Sequence, residues 1–187
     1  MLDNLGTAIS DIAHSVVGYK DADVRVAVIT FAKEAKVVFP FSSDMTNFYA
    51  NVISDLRYKD GANNQVGLLE AQKLLKTSKA DYKYLVFMSD GVSYNKFTKE
   101  KGIDIASDNK SWQGRYDAYY QQLLDIDRQQ AQILRRQNPD VPIYTVSYMD
   151  IRDYGASEDY LAPLICKDTS GKKLYYNAVD CNEDKGV

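Results

Sequence analysis

The stretch Tyr84-Leu-Val-Phe-Met-Ser-Asp90-Gly-Val-Ser-Tyr94 runs an apolar segment straight into a carboxylate. Asp-Gly is one of the strongest turn dipeptides, so Asp90 followed by Gly91 reads first as the end of a strand and the start of a turn. Open α/β sheets, however, bind their ligands at the carboxyl ends of the strands, and a carboxylate there is an oxygen donor suited to a hard cation such as Mg²⁺ or Ca²⁺. Lys59-Asp-Gly-Ala-Asn-Asn-Gln65 is a polar loop leading into a helical pattern.

Other chemistries find little support. His14 is the only histidine and lies off the apolar stripe of its helix, which leaves no Ser-His-Asp or Cys-His arrangement and no histidine set for a metal. Neither GxGxxG nor GxxxxGK[ST] occurs, so the nucleotide-binding loops are missing. The two cysteines, Cys166 and Cys181, stand outside any CxxC pair and away from histidine. They are compatible with one disulfide in an oxidising compartment or with two separate thiols. With 23 basic and 26 acidic residues the net charge is −3, and no basic stripe argues for a nucleic-acid partner.

The elements that must carry these residues follow from periodicity. Leu2, Leu5, Ile9, Ile12 and Val16 recur at helical spacing, ended by Gly18. Residues 24–32 and 35–41 read as two strands, the second at an antiparallel edge because Pro40 cannot donate to a ladder. A short helix is expected from 46 to 56 and another from 66 to 75, packing Leu68, Leu69, Ala71 and Leu75. Residues 82–89 are apolar on both faces, as in a central parallel strand covered by helices. Residues 92–111 are polar and irregular. The longest helix is expected over 115–137, with Tyr116, Tyr120, Leu123, Ala131 and Leu134 inward and Asn138-Pro139 as its stop. A buried strand over 141–149, a short helix over 157–166 and a last strand over 172–179 complete the chain. Alternation of strand and helix predicts a three-layer α/β domain: a mainly parallel, Rossmann-like central sheet, helices on both faces, one antiparallel edge strand. At 187 residues this is a single domain, 1–187, with an insertion at about 92–114. No apolar stretch reaches the roughly 20 residues of a membrane span.

Four segments in register carry a family likeness: "VRVAVITFAKEAKVVFPF", "DGANNQVGLLEAQKLL", "YLVFMSDGVS" and "VPIYTVSYM". In this order they resemble the von Willebrand factor type A domain, of the kind found as integrin I domains. The resemblance implies a non-enzymatic protein-binding and adhesion module, extracellular or at the cell surface and part of a larger protein. It also implies a metal-ion-dependent adhesion site built from three loops, binding Mg²⁺ or Ca²⁺ through oxygen ligands. Asp90 matches the aspartate of the third loop. The threonine of the second loop falls on Ala62, which has no side-chain oxygen, so that Asn63, or Asn64 beside it, is left to supply a carbonyl oxygen in its place. The Asp-x-Ser-x-Ser of the first loop has no counterpart, because the sequence starts inside the first helix and the first strand is missing. The metal site is therefore expected to be degenerate or incomplete, with metal binding weak or absent, and a protein ligand is expected near Asp90 and the 92–114 insertion. Loss of a central strand would leave two inner strands with open edges. The rival readings are a structural domain of a larger surface protein without its own ligand, and a Mg²⁺-assisted α/β hydrolase using Asp90.

Overall fold

A computed structural model describes residues 2–56, 63–89, 112–147 and 166–177. In chain order the elements are α1 (Leu2–Val17), β1 (Val26–Phe31), β2 (Ala35–Ser42), α2 (Phe48–Asp55), α3 (Asn64–Thr77), β3 (Leu85–Ser89), α4 (Trp112–Gln137), β4 (Ile143–Ser147) and β5 (Tyr175–Asn177). Each strand and helix that periodicity places among these residues is present. The helix expected over 157–166 falls outside them, apart from its last residue.

The strands pair in two sheets. β1 and β2 form an antiparallel pair, joined by a tight turn in which the Ala32 N–H donates to the Glu34 carbonyl at 2.9 Å. β3, β4 and β5 form a parallel sheet in that order, Leu85 opposite Ile143 and Ser89 opposite Ser147. The mainly parallel α/β architecture is as expected, and pairing is interrupted between β1 and β3, the two inner strands expected to have open edges. β1 and β3 are not hydrogen-bonded neighbours, because no described strand supplies the ladder between them. The expected antiparallel edge is β2, whose Pro40 lacks the N–H that an interior strand would need.

Two apolar clusters hold these pieces. One joins Ala13 of α1, Phe39 of β2 and Phe48 and Val52 of α2, with Ile9, Val26 and Val28 against them. The Phe39 and Phe48 rings meet edge to face at 4.8 Å. The other joins Leu68 and Ala71 of α3, Phe87 of β3, Ala131 and Leu134 of α4 and Ile143 of β4, with Ile29, Phe31 and Leu85 against them. β1 therefore has both faces covered, Val26 and Val28 toward α1 and α2, Ile29 and Phe31 toward α3. That is the three-layer arrangement.

Two details of the apolar pattern differ from expectation. Ile12 and Val16 are 47% and 40% exposed, because α1 approaches α2 through its small residues. Gly6 sits so close to Ile53 that an added Cβ would lie 1.8 Å from the isoleucine Cδ1. Leu69 is likewise exposed on α3, whereas Leu68, Ala71 and Leu75 are buried.

The contacts also give the direction of each element. Thr30 near the end of β1 donates to the carboxylate of Asp55, the last residue of α2, while Phe48 at the start of α2 meets Phe39 and His14. Gly6 near the start of α1 lies against Ile53 and Leu56. Hence α1 begins, and α2 ends, at the carboxyl end of β1. At α3, Gly67 touches the ring of Phe31, the last residue of β1, and Asn64 bonds Ser89, the last residue of β3. Strands β1 and β3 therefore both end at the N-terminus of α3 and run the same way.

Candidate functional site

The carboxyl ends of β3 and β4 meet the start of α3 in a buried polar cluster. Asn64, the first residue of α3, is 1% exposed. Its Nδ2 donates to Oδ2 of Asp127 at 3.0 Å, and its Oδ1 accepts from the Ser89 hydroxyl at 3.0 Å. Asp127 and Ser89 are each 5% exposed, and Thr145 and Ser147 of β4 are fully buried beside them in the sheet. One amide side chain thus ties three elements together: α3, the end of β3 and the middle of α4. The Asp127 carboxylate lies at the start of α3, where the helix dipole favours negative charge. Buried polar groups persist only when hydrogen-bonded, and these are.

A second strip of polar contacts continues along the same helix pair. Gln130 donates to Gln72 at 2.8 Å, and Gln72 to Gln137 at 2.6 Å. The order Asn64–Asp127, Gln72–Gln130 and Gln72–Gln137 shows α3 and α4 running side by side in one direction, so about fifteen residues of α4 come before the level at which α3 begins.

Asn63, the substitute ligand read from the sequence, is 6% exposed and caps α3: its Oδ1 accepts from the Val66 N–H at 3.3 Å. It is an N-cap in an extended conformation, a role asparagine fills well. Asn64, beside it, faces inward. Ser89 immediately precedes Asp90 in the sequence, so the cluster adjoins the position at which the carboxylate of the third loop is expected. Asp90 itself, Ala62, the 92–111 segment and Cys181 lie outside the described residues, while Cys166 is half-buried.

Whether these residues suit the divalent cation that the resemblance implies can be judged from their oxygens. Those of Asn63, Asn64 and Ser89 are directed to a backbone N–H, a hydroxyl and an amide within the protein. Among the described residues no three histidine, cysteine, aspartate or glutamate side chains lie together as a metal-holding group. The donors described are satisfied by one another rather than held open for an ion. What the arrangement can do is hold the end of β3 and the start of α3 firmly together.

Sequence reasoning overlooked Asp127. The signal was there: Asp127, Ala131 and Leu134 share a helical face at steps of four and three, so a carboxylate stood at an inward-facing position. The inward placement of Ala131 and Leu134 is borne out, both being fully buried.

With the geometry in place, the chain can be set beside known proteins. Residues 2–92 match the family model described as von Willebrand factor type A domain. The vWF domain of the type V pili tip protein Mfa5 from Porphyromonas gingivalis is 16% identical, with a TM-score of 0.67 over 95% of this chain and 82% of that one. A crystal structure of three N-terminal domains of the same pilus protein is 14% identical, with a TM-score of 0.68 over 100% of this chain and 44% of that one. The chain spans less than half of that longer structure. No protein with a curated description matches it. Among the described residues no helix is long and apolar enough to cross a membrane.

Proposed function

We propose, from the premise that this chain is a von Willebrand factor type A domain, that it is a protein-binding adhesion module whose metal-ion-dependent site is degenerate. Its partner is a protein, met at the carboxyl ends of the strands near Asp90 and the 92–114 insertion. It works at the cell surface as part of a larger protein, as the pilus tip setting of its structural relatives suggests. It is a binding module rather than an enzyme, in keeping with a family whose members generally serve as interaction modules.

The observation that carries the reading is the closed polar cluster. Asn63 caps α3, and Asn64 is held between Ser89 and Asp127, which supports a site that keeps the family's rigid platform while losing most of its ion ligands. Asp90 remains the one carboxylate matched to the family's metal loops, and a single carboxylate with neutral oxygens holds Mg²⁺ or Ca²⁺ weakly. The test is calorimetric titration of Mg²⁺ and Ca²⁺ into the chain and into Asp90→Ala. Binding in about the millimolar range, the weakest class of all-oxygen sites, abolished by the substitution, is expected. Micromolar binding would show that the site is complete, and weak binding untouched by Asp90→Ala would show Asp90 to be a turn residue only.

A further inference from the structure

At the amino end of β4 a cavity of about 550 Å³ opens between the last turn of α4, the connection 138–142 and the hairpin 166–174. It lies at the opposite end of the sheet from the Asn64–Ser89 cluster, about 13 Å of strand away from Ser147. Both of its walls are held in shape by their own bonds. Where α4 ends, the N–H and the side-chain amide of Asn138 both donate to the Leu134 carbonyl at 3.0 Å, and the Val141 N–H donates to the Asn138 carbonyl at 3.2 Å. Pro139 and Pro142 fix two further φ angles. In the hairpin the Leu174 N–H donates to the Cys166 carbonyl at 2.8 Å. The Asp168 carboxylate there accepts from the Ser170 hydroxyl and from the Ser170 and Lys172 N–H groups. A cavity between such walls is formed before any ligand arrives, and its volume falls in the range of about 300–1,000 Å³ usual for small-molecule sites.

The lining is of two kinds. Val141, Pro142 and Leu174 supply apolar surface, whereas Arg135, Arg136 and Lys167 supply three cations. All three cations are exposed, and among the described residues none of them forms an ion pair. Of the two lining carboxylates, Asp140 and Asp168, the second is engaged by its own turn. Three cations against two carboxylates leave the lining at +1, in a chain whose net charge is −3. Arginines in the last turn of a helix commonly offset its dipole. That does not account for Lys167, which reaches the same cavity from another element.

We propose that this cavity binds a small organic anion, an apolar body carrying one carboxylate or phosphate group. Val141, Pro142 and Leu174 would cover the body. The guanidinium forks of Arg135 and Arg136, which match carboxylate and phosphate oxygens, would take the head group together with Lys167. A local excess of positive charge also draws anions to a molecule that is acidic as a whole. This site needs no metal and shares no residue with the cation site at the other end of the strands.

Titration of the isotope-labelled chain followed by NMR tests this with probes of one shape: naphthalene-2-carboxylate, 2-naphthyl phosphate and the uncharged naphthalene-2-carboxamide. The amides of Val141, Thr169 and Leu174 should shift saturably with at least one of the anions, while those of Leu68 and Phe48 stay in place. The tighter anion then identifies the head group. The carboxamide should bind on the order of tenfold more weakly than that anion, having lost the charge that the arginines meet. Arg135→Gln combined with Arg136→Gln should weaken the anion on the order of tenfold and leave the carboxamide as it was. Lys167→Gln alone should weaken the anion about threefold, as an exposed charge does. All three side chains are exposed, so the variants should keep the fold, which unchanged Leu68 and Phe48 amides verify. Equal binding of anion and carboxamide to the parent chain overturns the proposal without any variant. So does anion binding that survives the paired arginine substitution, or the absence of saturable shifts at the cavity with both anions.

Discussion

Replacing Asn64 with leucine removes the one side chain that joins α3, β3 and α4 in the buried cluster. The branching of the side-chain skeleton is conserved and leucine is the bulkier, so no cavity is created and the cost lies chiefly in hydrogen bonding. The bond from the Ser89 hydroxyl is neutral and contributes about 1 kcal/mol; that to the Asp127 carboxylate involves a charged acceptor and contributes about 1.5–3 kcal/mol. Both partners are 5% exposed, so water cannot readily replace what is lost, and the leucine contributes apolar burial only against polar neighbours. Asn64→Leu should therefore destabilise the fold by about 3 kcal/mol. Urea unfolding monitored by circular dichroism would read this as a lower midpoint at unchanged slope. A double cycle with Asp127→Asn should show a coupling of about 1 kcal/mol or more between residues in contact. A loss below about 1 kcal/mol in the single variant would refute the reasoning, because two buried bonds, one of them charged, cannot cost so little.

Gly67→Ala should destabilise by about 1 kcal/mol: its Cβ would meet the Phe31 ring at 2.8 and 2.9 Å, and overpacking of about 1–3 kcal/mol outweighs the better helix propensity of alanine; an increase in melting temperature would contradict this. Phe48→Ala, at a fully buried ring, should cost about 3–5 kcal/mol, measured by the same urea titration. Asp168 has its carboxyl held below its ordinary value of 3.8, first by the hydrogen bond from the Ser170 hydroxyl and also by the Ser170 and Lys172 N–H groups. A depressed folded pKa means that the turn is supported above pH 3.8 and loses that support as pH falls below it; the Ser170 amide proton should shift through this range in the parent and not in Asp168→Ala.

Much of the architecture was legible because it rests on period. The alternation of β1, the Pro40 edge of β2 and the all-apolar β3 each mark a strand by side-chain pattern alone, and the helices of the described residues follow from the spacing of residues such as Leu68, Ala71 and Leu75. The break in pairing between β1 and β3 was legible only through the family resemblance, since pairing between distant segments leaves no local trace. Of the buried polar cluster, the sequence marked some residues and hid others. Asp90 was named from its place after an apolar strand and Asn63 from the family resemblance, but a side chain that caps a helix and one that binds an ion look alike in sequence, and Asn63 caps. Asp127 was hidden because a carboxylate in a charge-rich helix is ordinarily solvated; only its register with Ala131 and Leu134 set it apart. The inward α1 stripe failed at Ile12 and Val16, because glycine and alanine let two helices approach along a face that hydrophobicity does not mark.

The two apolar clusters have a consequence for how the molecule comes apart. One is built almost wholly from residues 2–56 and the other chiefly from residues beyond 63, with Ile29 and Phe31 as its loan from the first. Among the described residues there is ring stacking between β1 and β3 but no ladder, so the two halves share apolar surface there without a backbone ladder between them. Cooperative units of this size usually coincide with contiguous supersecondary pieces. Here the boundary between such units runs through the Phe31–Phe87 pair. The first half, made of near neighbours in sequence, closes its contacts over short loops and would form quickly. The second must bring α3 to β5 across about a hundred residues, and so is expected to fold later.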